Sequence, residues 1–294
     1  MINYTMRHLI LLILTFNFLL SSYSQKEYKS LFWKIYGNGL ADTSYLYGTM
    51  HTKDKRVYQF KNGVLDAFNK SKVYAMELNM DSVNEFEVLQ QLIMDSTYSL
   101  QTLLTKEEYT FVDQYFKDSL NISLFLFNKI HPIFTSQMIA LKDLGNEEEE
   151  ALDLYFFTEA KRQQKVIVGL EKMEEQINTF KSIPYELQAK ELLRAVEDIF
   201  NGNALQIDEL MEWYIKGDLN KLLELTSENE SSTNEMNEII NTVFLIDRNR
   251  KMADRSEKYI KKGPTFIAVG AAHLPGEEGV IENLRSKGYT VKAH

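Results

Sequence analysis

The chain has 294 residues, 44% of them hydrophobic, enough apolar material for a substantial core, which excludes an intrinsically disordered protein. Asp and Glu outnumber Lys and Arg by 42 to 33, and no Lys/Arg run is long enough to build a basic face, so nucleic acid is not an expected partner. With no cysteine there are no disulfides, thiol nucleophiles or thiolate ligands, and any metal site must be built from histidine and carboxylate.

Residues 1–24 read as an export leader. Arg7 supplies positive charge, residues 8–20 are mostly apolar, and Ser22-Tyr23-Ser24 places small residues at alternate positions ahead of a cut before Gln25. The apolar stretch is short for a bilayer span. An uncleaved signal anchor is the alternative; cleavage leaves no stable membrane span and an exported chain, periplasmic or extracellular.

Residues 31–36 have strand composition, Gly37-Asn38-Gly39 marks a turn and residues 44–47 return as a second strand, so the mature chain opens with a hairpin. Residues 64–68 predict a helix, and residues 73–78 a short apolar run with an acid, Glu77, embedded in it. From Asp81 the spacing of Phe86, Leu89 and Ile93, and then of residues 103–126, is helical. A further helix is expected over 132–144, stopped at Gly145-Asn146, and the acidic run 147–150 reads as a solvated first turn. Leu152, Tyr155, Phe156 and Ala160 form the buried stripe of a helix through Gln164, and residues 165–171 make a second apolar run ending in an acid, Glu171. Residues 174–261 read as almost all helix, with turns at Ser182-Ile183-Pro184 and Lys216-Gly217-Asp218, a polar loop over 227–237, and Trp213 and Tyr214 in the core. Residues 265–269 are a buried strand running into Gly270-Ala271-Ala272-His273, where the glycine is expected to permit a sharp turn. An amphipathic helix over 277–287, stopped by Gly288, and a strand over 289–293 complete the chain.

Of five histidines, one lies in the leader, one is the last residue and His131 precedes Pro132 at a helix start. The other two, His51 and His273, each close a Gly-x-x-His at a strand end. A Gly-x-x-His after an apolar run puts the imidazole at the carboxyl end of a strand, the rim where open α/β sheets keep their ligands, and Glu77 and Glu171 end two further runs. Imidazole and carboxylate together suit Zn, Mn, Fe or Co, and a catalytic site needs about three protein ligands with one position open for water. Glu77 or Glu171 is then ligand or general base, and Arg248 meets charge developing on a substrate carbonyl. The structural alternative is that the histidines are hydrogen-bonded strand ends and the glutamates cap helices or pair with lysines.

Gly48-Thr49-Met50-His51, the Glu77 run, Gly169-Leu170-Glu171 followed by Glu175-Gln176, Asp247-Arg248-Asn249-Arg250, and Val269 through Gly276 occur in an order that resembles the TraB/GumN family, which includes the Tiki proteins. The resemblance covers roughly residues 31–291 and implies an α/β (α+β) fold, a central mixed sheet carrying the two Gly-x-x-His strand ends, flanked by helices and with a helical insertion, in one such domain over 25–294. It further implies a metal-dependent peptidase using a divalent ion (Mn, Co or Zn), with His51 and His273 as metal ligands, Glu77 and Glu171 as ligand or base, and Arg248 and Asn249 orienting substrate or an oxyanion. The expected partner is a peptide or small-molecule amide substrate. The rival function is a non-catalytic envelope protein that sequesters a peptide or small ligand.

Overall fold

The computed structural model describes residues 27–61, 63–143, 150–202, 207–227 and 234–294. The leader, the Gly145-Asn146 stop, residues 147–149 of the acidic run and residues 228–233 of the polar loop lie outside the described residues. Strands β1 (Phe32–Tyr36) and β2 (Ser44–Thr49) form the opening hairpin, with Phe32 opposite Tyr47. Its turn has positive φ at Gly37, Asn38 and Gly39, conformations that glycine and asparagine tolerate best.

With β3 (Val73–Leu78), β4 (Val166–Glu171), β5 (Thr265–Gly270) and β6 (Thr290–Ala293) the hairpin completes a six-stranded sheet of order β4-β3-β5-β2-β1-β6. Neighbours among β4, β3, β5 and β2 are parallel, whereas β1 is antiparallel to both β2 and β6, so the sheet is mixed, as expected for the α/β class. β5 is central, and Thr265 through Val269 are all buried, which explains why residues 266–269 are continuously apolar instead of alternating.

Parallel neighbours require long crossovers, and the helices lie in them. From helices α1 (Val64–Lys70) and α4 (Leu152–Arg162), Phe68 and Phe156 pack their rings on Phe266 of β5 at centroid distances of 5.3 and 5.2 Å. Met252 and Ala253 of α9 (Asp247–Ile260) and Leu284 of α10 (Val280–Ser286) join the same core. A second core is purely helical: Val112 and Phe116 of α2 (Lys106–Leu120), Ile139 of α3 (Pro132–Asp143), and Leu192 and Val196 of α6 (Tyr185–Asn201). The helical insertion therefore draws on both crossovers, the one before β4 and the one after it.

Several details differ from the sequence reading. Residues 234–237 of the expected polar loop are helical, within Asn234–Ile239, and the helical spacing over 103–126 breaks at 121–123, between α2 and the 3-10 turn Leu124–Phe127. The last helix starts at Val280; Glu277 and Glu278 precede it in a turn closed by the Gly279 N–H on the Gly276 carbonyl at 3.0 Å. The helical spacing at Phe86 and Leu89 produces a helix (Glu85–Gln91) on which Phe86 and Leu89 stand exposed. Within the long helical run, Ile240–Ile246 winds as π-helix immediately before α9, a form that recurs at functional sites.

Candidate active site

Because β2, β5, β3 and β4 run in one direction, their carboxyl ends share a rim, with Thr49 level with Gly270 and Leu78 level with Glu171. The two Gly-x-x-His segments thus leave the sheet side by side. The approach is close at both glycines: a Cβ on Gly48 would stand 3.1 Å from the Ala271 Cα, and one on Gly270 would stand 3.2 Å from Glu77 Oε1, both tighter than ordinary contact. The sharp turn expected at Gly270 is absent, since its backbone is ordinary (φ −52, ψ 136). Its N–H instead donates to Glu77 Oε1 at 2.5 Å.

Arg248, in the first turn of α9, bridges the two glutamates. Its Nη2 donates to Glu77 Oε2 at 2.9 Å and to Glu171 Oε2 at 2.6 Å, while Nε donates to Glu171 Oε1 at 2.9 Å. Gln176 of α5 (Met173–Lys181) donates to Glu171 Oε2 at 3.1 Å, so both oxygens of that carboxylate are engaged. Burial by itself raises the Glu77 carboxyl, but the combined pull of His273, His51 and Arg248, with the Gly270 N–H, holds it at about 2. Burial acts against the Arg248 charge, yet Glu171 and Glu77 outweigh it and raise the guanidinium above its ordinary value.

His273 is buried on the short 3-10 turn Ala271–His273, with Nδ1 2.7 Å from Asn249 Oδ1. Because Asn249 Nδ2 donates to the Glu278 carbonyl at 3.0 Å, its oxygen faces the ring; Nδ1 carries the hydrogen and Nε2 keeps its lone pair. Nε2 lies 3.9 Å from Glu77 Oε1, and burial lowers the pKa, so the imidazole is neutral at neutral pH. His51 stands at the edge, its side chain 63% exposed, with Nδ1 2.8 Å from Asp153 Oδ2. Asp153, buried in the first turn of α4, also accepts from Thr49 Oγ1 at 2.7 Å. Its carboxylate pushes His51 up to about 9.

The structure therefore brings His51, Glu77, Glu171, Arg248, Asn249 and His273 to one rim, but in two kinds of position. His51, Glu77, Arg248 and His273 line a shared cavity. Asn249 is behind His273, and Glu171 is behind Arg248 and lines neither of the two cavities that meet at His51 and Glu77. Asp153 was missed by sequence reasoning. The signal was present: Asp153, Phe156 and Ala160 follow helical spacing, so an acid sits on the buried stripe of α4.

Ligating histidines ordinarily donate their second ring nitrogen to a carboxylate, carbonyl or other oxygen, which fixes the tautomer and raises ligand basicity. His273 has that arrangement with Asn249, and His51 Nδ1 lies 2.8 Å from Asp153 Oδ2; the two imidazoles and the Glu77 carboxylate are donors of the type a divalent metal takes, His51 once it gives up the proton that Asp153 holds on it. As arranged, no three His, Asp or Glu side chains among the described residues are grouped closely enough to hold an ion.

The TraB/PrgY/gumN family model matches residues 31–293. The chain belongs to the TraB/PrgY/gumN family. Within known members it is similar to the metalloproteases TIKI2 and TIKI1 of Danio rerio, each 24% identical, with 92% and 91% of this chain aligned to 62% and 64% of theirs. It is also similar to the human metalloprotease TIKI1, at 22% identity over 91% of this chain and 62% of that protein. The chain spans a little under two-thirds of the length of these relatives. No solved structure matches it. The family segments identified in the sequence are the ones that build the rim. Among the described residues, no helix is long and apolar enough to cross a membrane.

Proposed function

We propose that this chain is an exported metal-dependent peptidase in which His51, His273 and Glu77 hold a divalent ion and Arg248 meets negative charge forming on the substrate carbonyl. The observation that supports this most is the pair of imidazoles, each with Nδ1 engaged by an oxygen, at 2.8 Å for His51 and 2.7 Å for His273. The relatives named metalloprotease add family-level support, and the leader composition of residues 1–24 supports export. When bound, a divalent ion polarises a carbonyl and lowers the pKa of water toward neutrality.

The chain's own residues divide the remaining work. Neutral His273 has its Nε2 lone pair available, and Asn249 keeps the ring from rotating. Glu77, at about 2, is anionic across the physiological range, as a ligand must be. Of the two glutamates it is the one that lines the cavities shared with His51, and we assign it the water-side role; Glu171 lines a separate cavity with Gly169 and Lys172. Glu171 anchors Arg248. Among the described residues, Arg248 Nη1 makes one long bond, 3.4 Å to the Phe244 carbonyl, and we assign it to face an oxyanion.

Incubating the chain, loaded with Mn, Co or Zn, with peptide mixtures tests the proposal. Turnover is expected to stop with chelator and to fall by about 10²-fold or more in Glu77→Gln and in His273→Ala. Peptide retained intact after long incubation with loaded protein would favour sequestration instead.

A further inference from the structure

We propose that the cavity on the His273 side of the site is a specificity pocket for one apolar amino-acid side chain of Leu, Met or Phe size beside the scissile bond; this rests on the peptidase reading above. Two cavities meet at His51, Glu77 and Arg248, one of about 290 Å³ and one of about 170 Å³, so a bound chain can lie across the reactive groups with a side chain on each side. The larger is walled by Met50, Leu210, Tyr214, Leu222 and Ala272. Tyr214, on α7 (Ile207–Lys216), donates its hydroxyl to the Gly48 carbonyl at 2.9 Å, leaving only its ring to the cavity. Leu222 belongs to α8 (Leu219–Ser227), where it is buried in the main core.

The charged groups of this cavity, Glu77 and Arg248, are already paired with each other, and His51 with Asp153. Among the described residues, a basic substrate side chain entering it would lose water and find only a carboxylate already paired, and an acidic one would find only Arg248 Nη1, the donor assigned above to the oxyanion, whereas an apolar one loses nothing polar. Size agrees: an apolar cavity of about 150 Å³ takes a benzene-sized group. A volume near 290 Å³ takes a Phe or Leu side chain together with adjoining backbone. The smaller cavity is lined by Gln176 and Thr179 beside Phe180 and Phe244 and imposes a different, partly polar preference on the other side of the bond.

The test is a peptide library varied at the positions flanking the cleaved bond, assayed with metal-loaded wild type, Leu222→Ala and Thr226→Lys. Thr226 is an exposed residue lining the cavity, so its replacement spares the core. Wild type is expected to prefer Leu, Met or Phe, with each methylene removed costing about 10-fold or more in kcat/KM. Leu222→Ala shifts the optimum to larger side chains, and Thr226→Lys improves Asp and Glu relative to Leu. Turnover with a flat profile, or with a preference neither variant moves, overturns the pocket and leaves the peptidase reading intact. Binding of the same library to Glu77→Gln separates the two claims. Apolar-selective binding with no turnover by any loaded form retains the pocket and overturns the peptidase; neither selectivity nor turnover overturns both.

Discussion

Arg248 is the cation between two carboxylates whose side chains are 11% and 2% exposed, so its removal leaves uncompensated buried charge. Arg248→Met is expected to destabilise the chain by about 3–5 kcal/mol in urea denaturation, with Arg248→Lys recovering only part because an ammonium cannot reproduce the fork to Glu171. Two groups set opposite ends of the metal-free pH profile. Glu77, at about 2 against an ordinary 4.5, contributes stability that is complete above pH 4.5 and lost as pH falls toward 2. His51, at about 9 against 6.5, contributes stability that is complete below pH 6.5 and lost as pH rises through 9. The His51 ring is mostly exposed, so solvent screens that second contribution and its amplitude is small. Denaturation midpoints of wild type and His51→Ala, compared from pH 5 to 10, should converge above about pH 9; a constant offset contradicts the assignment. Asp153→Asn removes the charge that raises His51, and an NMR titration of the ring should give a value back near 6.5. The same change is expected to cost about 10–100-fold in metal affinity.

At the scale of elements, the two Gly-x-x-His segments were legible because each follows a short strand run and their glycines are where β2 and β5 crowd the rim. Gly48→Ala would force a methyl to 3.1 Å from Ala271, and overpacking of that kind costs about 1–3 kcal/mol, measurable as a lowered Tm. The strands carrying Glu77 and Glu171 were legible for a similar reason, an acid in an apolar run. Less could be read where partners come from distant elements. Asp153 is one flank of an otherwise apolar stripe, and its value lies in Thr49 and His51, which reach it only after β2 is paired in the sheet. The π-helical winding of Ile240–Ile246 was invisible because an apolar run with helical spacing does not distinguish α from π hydrogen bonding. Nor did spacing reveal that Phe86 and Leu89 face solvent, since periodicity specifies a face and not what covers it.

At the scale of the whole molecule, the parallel core β4-β3-β5-β2 turns a dispersed set of residues into one rim. The sequence could order those residues as His, Glu, Glu, His but could not tell which share a cavity. In the structure Glu77 and the histidines line one cavity, Asp153 and Asn249 contact the histidines from behind, and Glu171 holds Arg248. The central claim is that this rim is a metal centre made by His51, His273 and Glu77. Calorimetric titration of Mn and Zn into the chain lacking residues 1–24 tests it most directly, run on wild type, on the His51→Ala, His273→Ala double variant and on Glu171→Gln. One saturable site that vanishes in the double variant and survives, weakened, in Glu171→Gln is the predicted result. Binding unchanged in the double variant, or no binding of either ion to wild type, would contradict it.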